Sequence, residues 1–127
     1  MSELEAIGFG VQKFVPNDKF LRRIPPLHLK KSGEISSAAF QNTSGTNRMS
    51  TNWMKLSSVE DTLRDYPYFG VASITAELCW ELSQEIEWTP AEDSVAHCDV
   101  VGNKTASISK KFRDGAEYLK FPKRPDY

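Results

Sequence analysis

Pro25 and Pro26 stand side by side after KFLRRI, and no other feature limits the fold of this chain as much. Proline lacks an amide hydrogen and crowds the residue before it, so no helix can pass through the pair and the approach to it must be extended. The segment KFLRRIP, ending at Pro25, is therefore read as a strand. Gly33 marks a turn, and EISSAAF is expected as a second strand with Ile35, Ser37 and Ala39 on one face and Ser36, Ala38 and Phe40 on the other.

The rest of the chain divides at similar breaks. QNTSGTNR, residues 41 to 48, is made of turn formers, and MSTNWM reads as a third strand. Ser57 with Glu60 has the spacing of a capping box, which predicts a helix from Ser58 to about Asp65, stopped before Pro67. YFGVASIT, aromatic and β-branched, is expected to be a central buried strand. Thr75 is expected to cap a helix through AELCWELS, with Leu78, Cys79 and Leu82 on one side. QEIEWT, ended by Pro90, and VAHCDVV, closed by Gly102, read as strands. Lys104 to about Leu119 is expected to be the longest helix, anchored by Ile108, Phe112 and Leu119. The result is an α+β single domain over residues 1 to 127, a mixed sheet of about six short strands with three helices. Residues 1 to 15 are read as a loosely ordered arm and 120 to 127 as a basic tail, a strap or frayed end.

At 39% hydrophobic and 26% charged residues, the composition excludes disordered and fibrous classes. No apolar run approaches the ~20 residues that span a bilayer, and MSELEAIGFG lacks the basic then apolar layout of a secretory signal, so a cytoplasmic protein is expected. In that compartment Cys79 and Cys98 are expected as free buried thiols. With His28 and His97 they show no metal-ligand spacing, so no metal is expected. Charge is uneven: residues 1 to 56 carry eight Lys or Arg against four Asp or Glu, residues 57 to 99 one against ten, and residues 100 to 127 seven against three. The outer thirds are expected to complement the acidic middle in the fold, in preference to forming a nucleic-acid face.

Arg22 and Arg23, Pro26, Gly33, the Ser36-Ser37-Ala38-Ala39-Phe40 run and Met49-Ser50 together resemble a motif of an uncharacterised family of small bacterial proteins. The likeness extends through Gly70-Val71 and Ala96-His97-Cys98 to the segment holding Lys110 and Lys111, about residues 21 to 117. The chain departs from it at Pro25, where the family has histidine, and His28 has no counterpart. The resemblance implies a shared fold and assigns no activity.

Two kinds of chemistry are open to these residues. Arg23, Ser37, Ser50 and His97 are expected to line a cleft for a small anionic or nucleotide ligand, within an accessory module that also docks a protein partner. The alternative is an ADP-ribosyltransferase-like enzyme. That fold places an early-strand Arg on the phosphates of NAD, a serine strand at the nicotinamide and a late Glu-x-Glu at the ribose, here Arg23, Ser36 with Ser37, and Glu85 with Glu87. His97, oriented by Asp99 or Glu92, and Glu87 are the candidate catalytic groups. No cofactor fingerprint is present, and the sequence leaves open whether the protein is an enzyme. Arg23 is expected to face the cleft and Arg22 the open side. Trp53, Trp80 and Trp88 are read as core or rim residues in preference to a base-stacking platform.

Overall fold

The computed structural model describes residues 14–124. Six strands form one sheet: β1 (Lys19–Ile24), β2 (Arg48–Trp53), β3 (Gly70–Thr75), β4 (Glu85–Trp88), β5 (His97–Val101) and β6 (Glu117–Lys120), in the order β4-β5-β2-β1-β3-β6. Every pairing is antiparallel. Three α-helices accompany the sheet: α1 (Val59–Thr62), α2 (Ala76–Glu81) and α3 (Ala106–Gly115). The fold is α+β, and among the described residues no helix is long and apolar enough to cross a membrane.

Because side chains alternate along a strand, each strand divides its residues between two faces. On one face Phe20, Ile24, Met49, Ile74 and Val100 pack with Phe40 and the α3 residue Phe112 in the main core. On the other face Leu21 and Val71 meet Leu63 just after α1, with Val59, Tyr66 and Phe69 around them. The second cover is partial: it lies over β1 and β3, while Arg48, Glu87, His97 and Asp99 occupy the same face of β2, β4 and β5. The edge of the α1 cover therefore leaves polar side chains of the sheet uncovered.

The expected EISSAAF strand is absent. Residues Ser37–Phe40 form a 3-10 turn, with the Ser36 hydroxyl accepting from the Ala38 amide at 3.2 Å. The turn packs on α3, where Ser109 Oγ donates to the Phe40 carbonyl at 2.8 Å. The sixth strand is instead β6, in the segment expected to prolong the last helix. That helix ends at Gly115, and Leu119 lies in the edge strand. At α1 the cap is Ser58, one residue later than the capping-box spacing suggests: its hydroxyl accepts from the Asp61 amide at 3.0 Å, and the helix is a single turn. Thr75 caps α2 as expected, accepting from the Leu78 amide at 3.1 Å.

The tail acts as a strap as far as it is described. The Lys123 amide donates to the Tyr68 carbonyl at 2.9 Å, and Arg124 bonds the Leu29 carbonyl. Residues 1–13 of the expected N-terminal arm lie outside the described residues. Trp53 and Trp88 are core residues, whereas Trp80 is 42% exposed on α2. Cys79 and Cys98 are free and buried.

Candidate functional site

The β1–β2 ladder is short. Register pairs are formed at Phe20↔Trp53 and Leu21↔Asn52, and beyond them side chains take over from the backbone. Arg22 extends on the core side, donating from Nε to the Ala39 carbonyl at 3.0 Å and from Nη1 to the Ser50 carbonyl at 2.8 Å. Expected on the open side, Arg22 is thus an internal clamp between β1, β2 and the 3-10 turn. Its own-face neighbours Phe20 and Ile24 carry it into the core. Burial, with the adjacent Arg23 charge, pulls its guanidinium down to about 10.

Arg23 points the opposite way. Its Nε donates to the Thr62 carbonyl at 2.6 Å at the end of α1, and its guanidinium lies 4.2 Å from the centre of the Tyr66 ring. Those contacts fix the plane of the group and leave Nη1 and Nη2 without a hydrogen bond among the described residues. Arg23 and Asn52 are shared walls of two adjoining cavities. The smaller, about 50 Å³, is also lined by Ser50, Thr62 and His97. The larger, about 360 Å³, opens between α1 with its following turn and the β4–β5 loop, past Leu56, Asp65, Asp93 and Val95.

Arg23, Ser50 and His97 therefore meet at one cleft, and Ser37 does not. Ser37 begins the 3-10 turn whose Ala39 carbonyl Arg22 holds, so the sheet separates it from Arg23. Glu87 is also elsewhere: both its carboxylate oxygens bond Arg48, which reaches Asp99 Oδ2 at 3.1 Å with its other nitrogen. Donating to Asp99, and then to Glu87, raises the Arg48 guanidinium above its ordinary value. This network joins the basic first segment to the acidic middle, as the charge pattern anticipates. Glu85 is exposed on edge strand β4.

His97 is held by the strand-end residue Thr89. Its Nδ1 lies 2.8 Å from Thr89 Oγ1 and 3.1 Å from the Thr89 carbonyl oxygen. A carbonyl only accepts, so in the tautomer that bonds it the proton is on Nδ1 and Nε2 keeps its lone pair. That nitrogen lies 3.7 Å from Asp99 Oδ1, too far for a direct hydrogen bond. The ring is thus held in a fixed orientation beside the smaller cavity. Among the described residues no three His, Cys, Asp or Glu side chains gather as metal ligands.

Asn52 and Tyr66 were not anticipated as site residues. Asn52 is buried, donating to Thr62 Oγ1 at 3.2 Å and accepting from Ser94 Oγ at 3.4 Å, so it ties the α1 cover to the β4–β5 loop. Its position two residues after Ser50 in a strand is the one sequence signal that puts it on the same face. Lys104, in the Gly-Asn-Lys-Thr turn, is turned inward: its ammonium donates to Asn42 Oδ1, the Val100 carbonyl and the Gly102 carbonyl at 2.5, 3.0 and 3.1 Å. Burial pulls it down to about 8. No protein-family model, curated protein or solved structure matches the chain.

Proposed function

We propose that this protein is a small binding module whose cleft at Arg23 receives an anionic group of its ligand. The observation that carries this reading is the state of Arg23: pinned through Nε to Thr62 and laid on Tyr66, with both terminal nitrogens free of hydrogen bonds among the described residues and at the wall of a cavity. A guanidinium fixed along one edge offers the other as a preorganised fork for a phosphate or carboxylate, so little side-chain entropy is lost on binding. Ser50 and His97 beside it supply further polar contacts. An NAD-using enzyme would need Arg23, Ser37 and Glu87 around one ligand. The sheet between the first two, and the Arg48 pairing of the third, speak for binding over that chemistry.

Calorimetric titration with inorganic phosphate and with ADP tests the reading on the wild type, Arg23→Ala and Arg23→Lys. Binding by the wild type that weakens with salt, falls at least about ten-fold in the alanine variant and is only partly restored by lysine is expected. No binding of either anion, or binding unchanged in Arg23→Ala, would overturn it.

A further inference from the structure

The larger cavity carries more charge than an anion site requires. Arg64 and Asp61 pair with each other across one turn of chain. Once they are set aside, three charged residues remain in the lining: Arg23, Asp65 and Asp93. The two aspartates come from different places, one following α1 and the other in the β4–β5 loop. Neither has a hydrogen bond or ion pair among the described residues, and neither pairs with Arg23. An exposed carboxylate ordinarily draws a free arginine towards it, but Arg23 is held back by Thr62 and Tyr66. Opposite charges are thus displayed across a void of about 360 Å³ without neutralising each other. Leu56 and Val95 add apolar surface to the same cavity.

We infer that the ligand of this cleft is dipolar: a small molecule with an oxyanion that sits on Arg23 and a primary ammonium that sits against Asp65 and Asp93. This rests on the reading of Arg23 as an anion anchor and extends it. A simple anion would gain one guanidinium while facing two unpaired carboxylates. A guest carrying both charges satisfies both sides, and its carbon skeleton covers Leu56 and Val95. Two sources share this chemistry, an aminoalkyl phosphate and a short peptide or amino-acid zwitterion.

O-phosphoethanolamine and glycylglycine represent the two sources, with inorganic phosphate and ethanolamine as single-charge controls, in a calorimetric titration of the full chain. At least one dipolar probe should bind about ten-fold more tightly than either control, and which one does so identifies the source. Asp65→Asn and Asp93→Asn, both at exposed positions, should each weaken that probe several-fold while leaving phosphate binding unchanged or stronger. If phosphate binds through Arg23 as tightly as both dipolar probes, or if the two asparagine variants leave the dipolar affinity unchanged, the dipolar inference fails and the anion cleft stands. If no probe shows binding that Arg23→Ala removes, the anion cleft itself falls.

Discussion

At Arg22 and Arg23, two identical side chains have opposite tasks because consecutive strand residues face opposite sides of the sheet. Arg22 hydrogen-bonds backbone carbonyls of two segments, at Ala39 and Ser50, where the β1–β2 ladder has ended. Removing it leaves partly buried acceptors without a donor. Arg22→Ala should therefore cost about 2–4 kcal/mol in urea unfolding, and a loss below about 0.5 kcal/mol would show the clamp to be dispensable. Arg22→Lys should recover less than half, since one ammonium cannot serve carbonyls that lie along two edges of a guanidinium. Arg23→Ala should cost less than Arg22→Ala, about 1–2 kcal/mol, because one hydrogen bond to Thr62 and the seat on Tyr66 are its ties to the fold among the described residues. The sequence distinguishes these residues in direction, and it carries a signal for the destination of Arg22 as well. Phe20 and Ile24, two places either side of Arg22, are both large and apolar, which marks its face as the core face. The contacts that pin Arg23, a carbonyl 39 residues away and the Tyr66 ring, are non-local and leave no local pattern.

Among the elements, those with a chemical start or stop signal were legible and those defined by distant partners were not. β1 before its prolines and α2 after Thr75 follow from local sterics and capping. EISSAAF has small residues on both alternating faces, a pattern that suits a 3-10 turn as well as a strand, and the Ser36 cap together with packing on α3 decides between them. The last helix was overextended because Tyr118 and Leu119 continue an apolar rhythm past Gly115. Pairing of Tyr118 with Ala72 in β3 turns that stretch into β6. This edge depends on Gly70. A Cβ built there would lie 2.4 Å from the Lys120 carbonyl oxygen and 2.5 Å from the Pro122 nitrogen, and backbone at that distance can only be displaced. Gly70→Ala should therefore push β6 and the strap away from β3, at a cost of about 1–3 kcal/mol. Hydrogen exchange should accelerate over residues 117 to 123 and stay slow in β2 and β5. Unchanged protection at the Lys123 amide would show that the strap does not need the close approach.

For the molecule as a whole, the strand order β4-β5-β2-β1-β3-β6 sets the consecutive strands β1–β2 and β4–β5 side by side, but its β5–β2, β1–β3 and β3–β6 pairings join segments far apart in sequence, and no local signal encodes those. The charge segmentation did foreshadow one long-range tie, Arg48 to Glu87 and Asp99. The cysteines join sheet and helix in another way, with Cys98 in β5 and Cys79 in α2 both sealed in the main core. Burial pushes the Cys79 thiol from 9.0 up to about 12, and burial together with nearby Asp99 and Asp18 pushes the Cys98 thiol up as well. Above pH 9 the unfolded chain therefore gives up thiol protons that the folded chain keeps, and stability must fall as pH rises from about 9 towards 12. Lys104 acts in the other direction. Its folded value near 8 lies below its unfolded 10.5, so the unfolded chain holds the extra proton between those limits and stability rises with pH there. The two effects overlap, and the wild-type curve alone would hide both. The difference between the wild type and a Cys79→Ala, Cys98→Ala variant isolates the thiols together with their coupling to Lys104, since Lys104 is present in both proteins and Cys79 and Lys104 act on each other's charge. The variant should be less stable at pH 7.5 by a pH-independent packing loss. Between pH 9 and 10.5 it should regain ground on the wild type, by roughly 1 kcal/mol per thiol per pH unit. Urea unfolding at pH 7.5, 9 and 10.5 measures this, and a stability difference that stays constant across the three would mean that the thiols ionise equally in folded and unfolded chains, so that the core around α2 and β5 does not exclude charge as its packing implies.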